Sequence, residues 1–169
     1  MPEKLLCDFC GTEISNDAEF CGKCGTIFID DVSCFNHSDD DAKGVCAICH
    51  QAYCKRCGLR VNGIFLCNEH SDYEIYKGMA RIFGSSDEQQ VNNYKSALEQ
   101  NDLHPFIFQR KASPISLGGG DYTLFRASGD PNGHIINEIK LMVPCSEVLV
   151  AEKIIDEIDQ SFEHPSSNG

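Results

Sequence analysis

The chemistry in this chain of 169 residues is concentrated in sulfur. Ten of its eleven cysteines fall within residues 7–67, and only Cys145 stands apart. Two stretches share one spelling, Cys7-Asp-Phe-Cys10-Gly11 and Cys21-Gly-Lys-Cys24-Gly25. A Cys-x-x-Cys turn brings two sulfurs close enough to hold one Zn²⁺ at about 2.3 Å. A glycine after the second cysteine suits a position with positive φ, which turns amides toward the thiolates. The two pairs are ten residues apart, so Cys7, Cys10, Cys21 and Cys24 close one tetrahedral all-sulfur site. Repetition of the spacing argues against four unliganded thiols.

A second cluster interleaves histidine: Cys34-x2-His37-x8-Cys46-x2-Cys49-x4-Cys54-x2-Cys57-x9-Cys67-x2-His70. Four ligand pairs make two metal sites, each closed by four donors. Only four residues part Cys49 from Cys54, a turn too short to divide two independent fingers. An interleaved arrangement avoids the difficulty. Pairs one and three (Cys34, His37, Cys54, Cys57) then hold one zinc, and pairs two and four (Cys46, Cys49, Cys67, His70) hold the other. His50 follows Cys49 outside the pair spacing and reads as a surface histidine rather than a substitute ligand. Three zinc ions are expected, one on four cysteines and two on three cysteines and a histidine each.

The first motif resembles a zinc ribbon. The second resembles the B-box zinc finger across residues 34–70, with every ligand position of that pattern filled, and the resemblance implies a cross-braced fold. RING domains share the cross-brace and recruit ubiquitin-conjugating enzymes, but they carry two cysteines where this chain has Cys34 and His37. Modules of thirty to forty residues bury too little to fold alone, so the metal must supply the missing free energy. Phe9, Phe20, Phe28, Phe35, Tyr53 and Phe65 are expected to pack around the sites as support.

The remaining elements follow from periodicity. An apolar run at 79–83 predicts a strand, and Ser85 or Ser86 offers a cap for a helix carrying Val91, Tyr94 and Leu98 at helical spacing. Residues 106–108 predict a second strand, 118–120 a glycine loop, and 122–126 and 135–143 two more strands around the turn formers at 128–133. Ile139, Leu141 and Val143 alternate with Glu138, Lys140 and Met142, which predicts one buried face. After Pro144, Ser146 and Glu147 open a last helix striped by Val148, Ala151, Ile155, Ile158 and Phe162. The order is β-α-β-β-β-α, an antiparallel sheet with helices on one face, hence α+β. The strand at 79–83, the helix at 91–98, Asn-Asp-Leu-His-Pro-Phe-Ile-Phe (101–108) and Lys-Leu-Met-Val-Pro (140–144) resemble a small prokaryotic signal-transducing family with a PII-like, ferredoxin-like fold. That resemblance implies regulation or sensing and a small effector, without a ligand set on named residues. The expected organisation is a zinc ribbon at 1–30, a B-box-like double-zinc finger at 31–71, an α+β domain at 72–162 and a disordered tail at 163–169.

Charge narrows the function. The formal net charge is −12, and thiolate ligation takes it to about −16. Residues 1–30 carry two lysines and no arginine against six acids. Such a surface repels phosphate backbones, which disfavours a nucleic-acid-binding ribbon. No apolar run reaches the ~18 residues of a membrane span, and the N-terminus carries no signal-peptide pattern. The expected compartment is the reducing cytoplasm, where dense cysteine means metal rather than disulfide. No phosphate loop, Ser-His-Asp set or carboxylate pair stands out. His104 and His134 fall near strand ends. Cys145 reads as a small residue at a strand–helix junction rather than an activated thiol. The sequence therefore predicts a non-enzymatic, zinc-binding adaptor or regulator with a protein partner.

Overall fold

The computed structural model describes residues 4–109 and 138–163. The chain divides into two compact units, Met1–Ala80 with Pro144–Lys153, and Arg81–Val143 with Ile154–Gly169.

The first unit is assembled from very short pieces. β1 (Leu5–Leu6) pairs antiparallel with β2 (Glu13–Ile14), and β3 (Gly44–Val45) with β4 (Ala52–Tyr53). β5 (Gly58–Val61) and β6 (Ile64–Cys67) form a longer hairpin. Its turn is Asn62-Gly63, with φ of 49° and 81°. Two consecutive left-handed residues match the twist of the flanking strands, which is why Asn-Gly is favoured there. The same device recurs at Lys77-Gly78 (φ 49° and 79°), joining β7 (Ile75–Tyr76) to the start of β8 (Met79–Ser85).

Main-chain hydrogen bonds weld the first two cysteine motifs together. Val45 N–H donates to Gly25 O (2.8 Å), and Phe65 N–H donates to Cys24 O (2.9 Å). Arg60 donates to Cys24 O and to Thr26 Oγ1 while its guanidinium lies 4.1 Å from the Phe9 ring centre. Phe65 is the hub, only 3% exposed. A Cβ added at Gly44 or Gly58 would sit 2.3 Å or 2.6 Å from its ring, and one at Gly25 would meet Val45 O at 2.0 Å. Of the aromatics expected to support the metals, Tyr53 and Phe65 are buried, whereas Phe9, Phe28 and Phe35 are exposed. Once a cation ties two turns together through four ligands, the surrounding rings need not be withdrawn from water.

The second unit is built the usual way, on apolar burial. Helix α1 (Glu88–Gln100) buries Val91, Tyr94 and Leu98. Its cap is Asp87 rather than Ser85 or Ser86: the carboxylate accepts from the Gln89 and Gln90 amides at 2.9 and 3.2 Å. A carboxylate also complements the helix dipole, which a hydroxyl does not, and Ser85 is still in β8. β9 (Phe106–Gln109) pairs antiparallel with β10 (Ile139–Pro144), and the sheet order is β7-β8-β10-β9. β10 is thus an inner strand, and Met142 is buried along with Ile139, Leu141 and Val143, so its end has two buried faces rather than one.

A 3-10 turn, Cys145–Glu147, leads into helix α2 (Val148–Glu163), so Ser146 and Glu147 lie where the last helix was expected to open. Val148, Ala151 and Ile155 are buried, but Phe162, the last residue of the predicted stripe, is exposed. Tyr94 donates to Asp159, and Phe83 meets Tyr94 edge-on at 4.8 Å between ring centres. The architecture is α+β. The glycine loop at 118–120, the strand at 122–126, the turn at 128–133, the start of the strand at 135–143, His134 and the tail beyond Glu163 lie outside the described residues. Among the described residues no helix is long and apolar enough to cross a membrane.

Candidate metal centres

The two ribbon turns are built alike. Cys7 N–H donates to Thr12 O and Gly11 N–H to Cys7 O, both at 2.8 Å; Cys21 N–H to Thr26 O and Gly25 N–H to Cys21 O repeat the same lengths. Gly11 and Gly25 have φ of 69° and 77°, a backbone state that turns the chain sharply under the sulfurs. The 46–50 turn copies the pattern, with Cys46 N–H on Gln51 O and His50 N–H on Cys46 O. There His50, not glycine, takes the left-handed position (φ 58°). His50 is exposed and belongs to no ligand group. The 54–58 turn differs: Cys57 and Gly58 both donate to Cys54 O at 3.1 Å, and the chain runs straight into β5.

These turns, with the pairs Cys34/His37 and Cys67/His70, gather twelve side chains into three groups, each with its four donor atoms within 4.8 Å of one another. The groups are Cys7, Cys10, Cys21 and Cys24; Cys34, His37, Cys54 and Cys57; and Cys46, Cys49, Cys67 and His70. In the first, Cys7 and Cys24 sulfurs are 3.7 Å apart and Cys10 and Cys21 sulfurs 3.6 Å. A tetrahedron with Zn–S of about 2.3 Å has edges of about 3.8 Å, whereas a disulfide is about 2.05 Å. The spacing is that of sulfurs around a cation. In the second group His37 Nδ1 lies 3.8, 3.7 and 3.2 Å from Cys34, Cys54 and Cys57. In the third, His70 Nδ1 lies 3.5 and 3.2 Å from Cys46 and Cys67. Both imidazoles therefore offer Nδ1.

Electrostatics within the groups favours an ion as well. Burial pushes the Cys21 thiol up to about 12 and Cys67 up to about 11, and neighbouring thiols add to both. Burial also acts on Cys10 and Cys34, but hydrogen bonds from Thr12 to the first and from backbone amides to the second outweigh it, leaving them at about 6 and about 7. Four thiolates cannot share so small a space without a cation, and divalent metal resolves the conflict.

Outer contacts orient the sulfurs. Thr12 Oγ1 is 3.3 Å from Cys10 Sγ and Thr26 Oγ1 is 3.1 Å from Cys24 Sγ; against a thiolate the hydroxyl is the donor. Asn36 donates to Cys57 (3.6 Å), and the Tyr53 hydroxyl lies 3.7 Å from Cys49. Of these four only Tyr53 is expected from sequence, and there as packing rather than as a hydrogen-bond partner. The threonines carry a signal, since Cys-Gly-Thr occurs twice, at 10–12 and 24–26. Cys145 is buried, and loss of water raises its thiol to about 11, so it is no activated nucleophile. His104 is exposed.

Residues 6–28 match the family model of the zinc-ribbon domain. No curated protein and no solved structure matches the chain. The ribbon match, the soft donor set and the three clusters together identify zinc-binding modules.

Proposed function

We propose that this chain is a non-enzymatic adaptor or regulator that works through protein–protein contact, with three structural zinc ions holding its first part in shape. One ion sits on four cysteines and two on three cysteines and a histidine, the latter pair cross-braced as in a B-box. The observation that carries the reading is closure: each group supplies four donor atoms, whereas a catalytic zinc keeps a position for water or substrate. Leu6, Phe9, Phe35 and Leu59 are exposed on the zinc-bearing unit, and apolar side chains left in water are the usual raw material of a partner surface. The α+β part serves as the regulatory element, in keeping with the PII-like resemblance, and a reducing cytoplasm keeps the thiolates available to metal.

Capture from native extract tests this. Immobilised zinc-loaded full-length chain retains a defined protein, and Phe35→Ala with Leu6→Ala loses it while native mass spectrometry still counts three zinc ions. Retention of no protein by the zinc-loaded chain sinks the reading.

A further inference from the structure

We propose that a cavity beside the second ribbon turn binds the phosphate group of a small effector. The cavity is lined by Gly22, Lys23, Lys77, Gly78, Met79, Pro144, Cys145 and Ser146, and its volume is about 320 Å³. That is the lower end of the ~300–1,000 Å³ typical of small-molecule sites. The site deepens the regulatory reading above and rests on it for its role.

Three observations converge on an anion. Lys23 and Lys77 both line the cavity, and neither makes an ion pair among the described residues. In a chain of net charge −12 two unneutralised cations in one hollow are a local reversal of sign. The second observation is that they are held near each other. The Lys23 side chain passes alongside Gly78, its Cε 3.4 Å from where a Cβ would stand, and Gly78 follows Lys77 in a left-handed turn. The third is the wall facing them. The Cys145 amide donates to Gly78 O at 3.1 Å, which pins residues 144–146 to the Lys77-Gly78 turn and brings the Ser146 hydroxyl to the lining as a neutral donor. Gly22 and Gly78 add no side chain to the hollow, so its width is left to the ligand. The lining residues Lys23, Lys77 and Ser146 carry two ammonium groups and a hydroxyl, the Lys77 ammonium resting 5.4 Å from the Tyr76 ring centre, and such a set suits the several oxygens of a phosphate better than the two of a planar carboxylate.

Lys23 lies between the ligands Cys21 and Cys24, so metal at the ribbon site fixes the backbone from which its side chain starts.

The probe is glycerol phosphate, titrated into the zinc-loaded full-length chain and followed by amide NMR. The expected result is saturable shifts centred on Gly22, Lys23, Gly78 and Ser146, with affinity at least tenfold weaker in Lys23→Gln and in Lys77→Asn. Asparagine accepts the left-handed backbone of position 77, and an unchanged zinc count shows that each variant is folded. Shifts that sodium chloride reproduces at equal ionic strength, or undiminished binding by both variants, overturn the proposal. Vesicles of anionic phospholipid run alongside: retention on them without any response to glycerol phosphate also overturns it, because the phosphate would then be a lipid headgroup. All arms use purified protein, so they stand or fall separately from the capture of a partner.

Discussion

The two units solve the same problem by opposite means. The zinc-bearing unit has strands of two to four residues through its cysteine motifs and leaves Leu6, Phe9 and Phe35 in water. The other has a 13-residue helix whose inward positions, Val91 and Leu98, are fully withdrawn. In the first, a few strong bonds at fixed points add to a small core around Ile48, Phe65 and Leu66; in the second, cohesion is spread over many weak contacts. A bond-held region tolerates a wet surface but not the loss of one ligand. A contact-held region tolerates small losses anywhere but needs its full length of regular structure.

Removing the metal separates the two most sharply. A structural zinc contributes on the order of 10–16 kcal/mol to a small finger at neutral pH. Chelation is expected to collapse residues 4–70 while α1 persists, seen as lost hydrogen-exchange protection confined to the cysteine motifs. Acid does the same by another route. Without the ion, Cys21 and Cys67, raised to about 12 and about 11, hold their protons at neutral pH. Zinc must expel those protons to bind, so its affinity falls as pH falls and zinc binding releases protons into the buffer. Retained protection after complete zinc removal would erase the contrast.

Leu98→Ala probes the other side. Leu98 is fully buried, and emptying such a position costs about 2–5 kcal/mol. Denaturant unfolding followed through α1 is expected to shift by that amount while the zinc count by native mass spectrometry stays the same. A falling zinc count would show that the two modes of cohesion are one. The smallest effect is at His50, a non-glycine residue in a left-handed position. His50→Gly relieves about 1 kcal/mol of backbone strain and is expected to raise resistance to chelator slightly, with zinc stoichiometry unchanged.

Legibility in the sequence follows the same divide. Ligand grouping could be read because few residue types bind zinc and their spacing is set by local turns. The periodic helix positions Val91, Tyr94 and Leu98 could be read because an amphipathic stripe is also local. Met142 could not, since its burial depends on β10 being an inner strand, a matter of topology. Nor could the cap at Asp87, since Ser85 and Ser86 were the expected caps and the end of β8 at Ser85 decides against them. The outward face of Phe35 was hidden for a different reason: it stands between the ligands Cys34 and His37, where ligation can hold the chain without burying the ring, while Ile48, Phe65 and Leu66 supply the apolar core of the same unit. Thr12 and Thr26 stood in plain repeat but are too common a residue type to draw notice without the sulfurs beside them.

The ring of Phe65 has a last implication, for which changes the chain can accept over generations. Positions 25, 44 and 58 are far apart in the sequence, yet each excludes even alanine, 44 and 58 through the Phe65 ring and 25 through the Val45 carbonyl oxygen. Related chains that keep the metal ligands should therefore keep these glycines too, or change those at 44 and 58 together with the phenylalanine. Drift at 44 or 58 alone is closed off by the shape of a single side chain, and at 25 by a backbone oxygen that no substitution removes.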